Sequence, residues 1–296
     1  MRAFIEKVYH VCVWVSLGIA FCSPLGAEPA ARLNMGFYYP SINDTADRTD
    51  IEVSLTFWTE ELTEEMDISE SNARLFDTVS SMRDAFERGD IDMIIAPPLV
   101  IARYFKRADL ADGFVGVRED GENNSLLLLA NKDRAKNLKD LRGKRLIMPE
   151  NDELADVFLD TLMLKTYRKS YKEIFSIVQP KIKNNRIVLD LFFNKADAAM
   201  VYAGAFDVMA ELNPQIKARI KVLASYPVKA KNFSYFNRNY PLREELIRKA
   251  MSYGEFPRAK QILAVYKTPE LDYCRVEDLQ MFDELYREYL QLKHEQ

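Results

Sequence analysis

Apolar and polar residues follow each other in the first third of the chain in a pattern that predicts strands and helices with short links. Residues 33–37 alternate as a strand does, and an aromatic turn ends this run. Thr49 and Glu52 have the spacing of a capping box, and apolar residues at helical spacing predict a helix over 51–62. A second helix is predicted over 75–86, ended by Gly89, with a buried strand at 91–96. The expected order is β-α-α-β.

The rest of the chain repeats this alternation and then becomes helical. Two apolar runs, at 113–117 and 125–131, flank a polar stretch at 118–124, which we expect to connect two lobes. Later strands are predicted at 145–148, 175–179, 198–202 and 221–224. Helices are predicted at 154–167, 186–194, 204–212, 242–253, 257–265 and 276–292. This order is typical of lobes in which helices cover a largely parallel sheet.

The N-terminus has the features of an export signal. A basic start is followed by an apolar core at 11–21 and a small-residue end at 25–27, so we expect a cleaved signal peptide over residues 1–27. The apolar core is too short for a membrane anchor, which needs about 20 apolar residues. Lipid attachment at Cys22 is disfavoured because the bulky Phe21 precedes it.

Composition narrows the possible chemistry further. After removal of the signal peptide, Cys274 is the only thiol and His294 the only imidazole. A triad that needs a histidine would have to use His294, in the last few residues, and a histidine-based metal site lacks ligands, so we expect neither an enzyme nor a cofactor. The 41 basic and 45 acidic residues are interspersed and give a formal charge of −4, which argues against nucleic-acid binding.

Five strings follow one another along the chain: MGFYYP, MRDAFERGDIDMIIAPP, SLLLLANKDR, NLKDLRGKRLIMPE and LFFNKADAAMVYAGAFD. In their order and spacing they resemble the phosphate/phosphonate-type periplasmic binding proteins. The resemblance implies an α/β, two-lobed type II periplasmic binding protein fold, each lobe a mostly parallel sheet flanked by helices, with a ligand cleft between them. It places residues 28–118 with 227–296 in lobe 1 and 119–226 in lobe 2. It also implies a monomer that delivers a small ligand to an inner-membrane ABC permease.

One segment departs from that family. Phosphonate receptors carry small hydroxyl residues at the start of the helix that follows residue 148, whereas this chain has acidic residues at 150, 152 and 153. Three carboxylates would repel an oxyanion, so this segment argues against phosphonate as the ligand. For Glu150 and Glu153, as for Asp152, favouring the helix start is the alternative to contacting a ligand.

The ends of the predicted strands supply the candidate ligand-binding residues, because open α/β sheets bind ligands at the carboxyl ends of their strands. We expect the ligand to contact Tyr38, Tyr39, Pro98, Asn151, Asp152, Arg186 and Tyr202. The loop residues Asn43, Asp44 and Arg48 form a possible lip of the cleft or an ordinary solvated loop. A sensory or docking protein with the same fold, including one with a degenerate site, stays an alternative to a transport receptor.

Overall fold

A computed structural model describes residues 31–40, 48–64, 68–117, 125–181, 183–265 and 270–295. The expected signal peptide, the polar connection at 118–124 and the loop residues Asn43 and Asp44 lie outside the described residues. Within them, no helix is long and apolar enough to cross a membrane.

Strands and helices alternate along most of the chain. The strands are β1 (Arg32–Phe37), β2 (Glu70–Leu75), β3 (Met93–Ala96), β4 (Leu110–Ala111), β5 (Gly113–Val117), β6 (Leu126–Asn131), β7 (Arg145–Pro149), β8 (Ile177–Lys181), β9 (Ala198–Tyr202), β10 (Ile220–Tyr226), β11 (Phe233–Asn237) and β12 (Glu270–Cys274). The helices are α1 (Arg48–Glu64), α2 (Val79–Arg88), α3 (Pro98–Tyr104), α4 (Glu153–Tyr167), α5 (Tyr171–Ile174), α6 (Asn184–Phe192), α7 (Ala203–Leu212), α8 (Gln215–Arg219), α9 (Arg243–Ser252), α10 (Pro257–Val265) and α11 (Gln280–His294). Four short 3-10 turns lie at Arg107–Asp109, Leu138–Leu141, Tyr253–Glu255 and Val276–Leu279.

Two five-stranded sheets form the centres of two lobes. The first has the order β2-β1-β3-β11-β4, and the second β10-β6-β9-β7-β8. In each sheet three neighbouring strands are parallel, namely β2, β1 and β3 in the first and β9, β7 and β8 in the second. The remaining strands pair antiparallel, and β5 with β12 forms a separate two-stranded ribbon. These parallel strands direct their carboxyl ends towards one edge of each sheet.

Aromatic side chains and the C-terminal helix join the two lobes. Phe158 of α4 contacts Tyr226 at 5.4 Å between ring centroids, and Tyr226 contacts Phe282 of α11 at 6.0 Å. Phe282 in turn lies 5.8 Å from Phe233 of β11 in the first sheet. Helix α11 packs on α3 and on α4, so it bridges the lobes rather than completing only the first one. The exact lobe boundaries at 118 and 226 stay a prediction.

Several element predictions were correct and several were wrong. Gly89 ends α2 in the left-handed conformation, as predicted. The predicted helix over 75–86 begins only at Val79, because residues 70–75 form the strand β2, which the prediction missed. This edge strand consists mostly of polar, exposed residues, so it lacks the run or alternation of apolar residues from which a strand is predicted. Helix α1 begins at Arg48, so Thr49 lies inside the first turn and not at the cap.

The strand β11 was also missed. Residues 233–236 are all buried, and a strand buried on both faces shows no alternation of apolar and polar residues. The C-terminal part was therefore predicted to be entirely helical after residue 226, although β11 is a central strand of the first sheet and β12 pairs with β5.

Candidate ligand site between the lobes

A cavity of about 850 Å³ lies between the two lobes. The first lobe contributes residues at the carboxyl ends of β1 and β3 and the segment 230–234 that enters β11. The second lobe contributes the starts of α6 and α7. Both walls therefore come from the sheet edges where open α/β sheets bind ligands.

A smaller cavity of about 260 Å³ adjoins the larger one. Four residues line both cavities: Tyr39, Tyr202, Lys231 and Asn232. The smaller cavity is closed on one side by the prolines at 40, 97 and 98 and on the other by the start of α4, residues 151–154.

Asp152 caps helix α4 with its own carboxylate. Its Oδ1 accepts a hydrogen bond from the Ala155 backbone N–H at 3.1 Å, and its Oδ2 accepts one from the Tyr202 hydroxyl at 2.8 Å. Asn151 adopts a φ of 51°, which turns the chain from β7 into the helix. The positive end of α4, a favourable position for an anion, is thus already occupied by a carboxylate of the protein.

The pKa values near this helix start reflect burial. Burial, followed by the charge and hydrogen bond of Asp152, raises the pKa of Tyr202 well above its ordinary value, so the hydroxyl remains a donor. Burial also raises the pKa of Asp156, and the Tyr171 hydroxyl, which donates to Asp156 at 2.7 Å, only partly opposes this effect.

Glu153, in the second lobe, forms an ion pair with a residue of the first lobe. Its carboxylate forms an ion pair with the Arg103 guanidinium of α3, and the two side chains are 29% and 21% exposed, respectively. The Cζ atom of Arg103 also lies over two tyrosine rings, 4.1 Å from the ring centroid of Tyr286 in α11 and 4.9 Å from that of Tyr104. Glu153 therefore serves contact between the lobes, and its carboxylate already has a cationic partner.

The structure brings five of the seven predicted ligand residues together and leaves two elsewhere. Tyr39 and Tyr202 line both cavities, and three further residues line the smaller one: Pro98, Asn151 and Asp152. Tyr38 packs on the opposite face of its turn against the core, where burial and Tyr104 raise its pKa. Arg186 is 58% exposed and pairs with Asp190 at 3.1 Å. Neither Tyr38 nor Arg186 lines either of these two cavities.

Two pairs of residues that the sequence did not reveal also line the larger cavity. Lys183 and Asn184 stand at the start of α6, and Lys231 and Asn232 precede β11. The Oδ1 atoms of both asparagines are buried and have no hydrogen-bond partner among the described residues. The helix was predicted to begin at Arg186, two residues too late, so its start was assigned to the cleft with the wrong residue. The strand β11 was missed, so the segment before it was not assigned to the cleft at all.

Comparisons with known proteins agree with this architecture. Residues 44–271 match the family described as "ABC transporter, phosphonate, periplasmic substrate-binding protein". No curated protein matches the sequence.

Solved structures with the same fold share little sequence with this chain. A binding protein component of an ABC phosphonate transporter from Pseudomonas aeruginosa has 13% identity and a TM-score of 0.60, with 89% of this chain and 88% of that chain covered. PhnD1 from Prochlorococcus marinus, in complex with methylphosphonate, has 13% identity and a TM-score of 0.60, with 88% and 99% covered. A protein from Xanthomonas citri bound to chloride ion has 11% identity and a TM-score of 0.63, with 90% and 99% covered. At this identity the structures establish the fold and leave the ligand open.

Proposed function

The chain belongs to the family of phosphonate-type periplasmic substrate-binding proteins of ABC transporters, and we propose that its ligand is held in the cavity between the two lobes. Members of this family bind a small ligand and dock with a membrane permease, so the role is binding and not catalysis. The family also favours a transport receptor over a sensory protein.

One observation carries the placement of the site: a cavity of about 850 Å³ has walls from both lobes. A ligand in this position contacts both lobes at once, so binding favours the closed arrangement over an open one. Hinge closure of this kind is a common means of enclosing ligands in two-lobed proteins. The closed form would then be what the permease recognises.

We assign five of the expected residues to the site: Tyr39, Pro98, Asn151, Asp152 and Tyr202. Tyr39 and Tyr202 line both the larger and the smaller cavity, so a ligand in either one would contact them. Asp152 holds Tyr202 in place through its hydrogen bond. Tyr38 and Arg186 remain outside the proposed site.

We also propose that the chain is exported and monomeric. The mature chain would begin near Glu28 after signal cleavage and would act as a monomer. Mass spectrometry of protein recovered from the periplasm tests the first point, and light scattering on the purified protein tests the second. An intact N-terminus or the mass of a dimer would contradict the corresponding part.

A thermal-shift screen of the purified chain tests ligand binding directly. The panel contains phosphate, phosphonates, amino acids, polyamines, thiamine and sugars. A compound that binds only the folded chain stabilises it by about 2.7 kcal/mol at a hundredfold excess over its dissociation constant. We expect at least one member to raise the melting temperature, and a panel without any shift would contradict the proposal.

A further inference from the structure

The larger cavity is apolar over most of its wall in the first lobe. Its apolar lining comes from the first sheet, from helices α1 and α10 and from the β5–β12 ribbon: Phe37, Leu55, Met93, Ile95, Phe114, Val115, Phe233, Leu263 and Leu271. A wall of this kind gains free energy by burying apolar groups of a ligand, whereas it offers no partner to a small, strongly hydrated anion.

Two unpartnered acceptors belong to residues that line this cavity. The Oδ1 atoms of Asn184 and Asn232 are buried, and neither accepts a hydrogen bond from a described residue. One comes from the second lobe and the other from the first. Because a buried acceptor is costly when it is unpaired, each side-chain amide would gain a hydrogen bond by rotating its Oδ1 towards a donor group of a ligand in the cavity.

The start of α4, by contrast, is closed to an anion. The Asp152 carboxylate occupies it and is held by the Ala155 N–H and the Tyr202 hydroxyl. An oxyanion placed there would meet a like charge in a partly buried setting. The two lysines of the cleft, Lys183 and Lys231, are exposed, and exposed charges hold a counter-ion weakly.

We propose that the ligand is a small amphipathic molecule whose apolar part fills the larger cavity and whose head donates hydrogen bonds to Asn184 and Asn232. An alkylphosphonate held at the start of α4 is not this ligand. The inference rests on the proposed function, because it concerns the chemistry of the same cleft.

Four probes separate the head from the apolar part in calorimetric titrations of the full chain. Hexanamide combines a donating head with an apolar chain, and acetamide has the head alone. Hexylphosphonate and methylphosphonate are the matching anions. We expect hexanamide to bind at least tenfold more tightly than acetamide and hexylphosphonate, and Asn184→Leu and Asn232→Leu each to weaken hexanamide binding about tenfold. Asn239→Leu, in an exposed turn at the far end of β11, is the matched control and should leave binding unchanged.

A second variant tests the closed helix start. Asp152→Ser retains a capping side chain but removes the carboxylate, so we expect methylphosphonate to gain at least tenfold in affinity relative to the wild type. Unchanged affinity in this variant would overturn that part of the inference.

Tighter binding of hexylphosphonate than of hexanamide to the wild type would overturn the ligand class and leave the cleft as the binding site. If hexanamide does not bind, the ligand class falls, and only a thermal-shift panel without any stabilising compound removes the proposed function as well.

Discussion

The Tyr202 hydroxyl, at the carboxyl end of β9, donates a hydrogen bond of 2.8 Å to Oδ2 of Asp152, the residue that caps helix α4. This bond joins two elements of the second lobe at the edge that faces the cleft. The bond also fixes the position of the Tyr202 side chain, which lines both cavities, relative to the start of α4.

Replacement of the capping carboxylate should therefore destabilise the protein. We expect Asp152→Ala to lower the free energy of unfolding by about 0.5–2 kcal/mol, since it removes the cap and the acceptor for Tyr202. Asp152→Ser is the control, because serine still caps the helix and should recover most of the loss. Urea unfolding measures both variants, and an alanine variant as stable as the wild type would contradict this role of Asp152.

The ion pair between Arg103 and Glu153 should couple the lobes energetically. A double-mutant cycle with Arg103→Met and Glu153→Gln should give a coupling energy of about 1 kcal/mol in chemical denaturation, because both groups are partly shielded from water. The exposed pair of Arg88 and Asp90 provides the comparison and should give less. Equal coupling for the two pairs would contradict a role for the Arg103 pair in holding the lobes together.

Asp197 should make stability depend on pH. Burial tends to raise the pKa of this carboxyl, but its hydrogen bonds to the Arg145 side chain and backbone outweigh burial and hold the pKa below its usual value. An acid with a lowered pKa in the folded state stabilises that state above its unfolded pKa, and this contribution is lost as the pH falls through the folded value. We expect Asp197→Asn to cost about 2 kcal/mol at pH 7 in urea unfolding.

The loss of unfolding free energy caused by Asp197→Asn should become progressively smaller as the pH falls below about 4, where the carboxyl of the unfolded chain becomes protonated. Asp133→Asn, at an exposed turn residue, is the control and is measured over the same pH range. A cost of Asp197→Asn that stays constant from pH 7 to pH 3 would contradict the pairing with Arg145.

Cys274 should be chemically inert in the folded protein. The side chain is buried, and burial raises the pKa of its thiol to about 12, so little thiolate is present at neutral pH. We expect Ellman's reagent to label Cys274 slowly in the native chain and rapidly in guanidinium chloride, with labelling followed by peptide mass spectrometry. Rapid labelling of the native chain at this residue would contradict its structural role.

The lobe architecture could be predicted from the sequence because most of its elements have a clear apolar period. The strand 198–202 and the helix 257–265 have the predicted limits, and α4 begins within one residue of its prediction. The family match and the common fold confirm the type II binding-protein class. The edge strand β2 and the central strand β11 were missed because one is mostly polar and the other is uniformly buried.

The candidate site could be predicted only in part. Tyr202 and Asp152 follow strand ends that the pattern located well, and both reach the cleft. Which side of a turn a residue faces depends on tertiary packing, so Tyr38 and Tyr39 could not be told apart from the sequence. Asn184 and Asn232 lie far apart in the chain and line the same cavity only because the two lobes face each other.

Occupation of the cleft by the ligand is the central claim, and a matched pair of substitutions tests it most directly. Val208 lines the larger cavity from α7, and Val222 is a similarly exposed valine on the edge strand β10, outside that cavity. The measurement is a calorimetric titration of the most stabilising compound of the thermal-shift panel into Val208→Trp and Val222→Trp. We predict that tryptophan at 208 lowers the affinity at least tenfold and that tryptophan at 222 leaves it unchanged. Equal affinity in the two variants would contradict binding in the cleft.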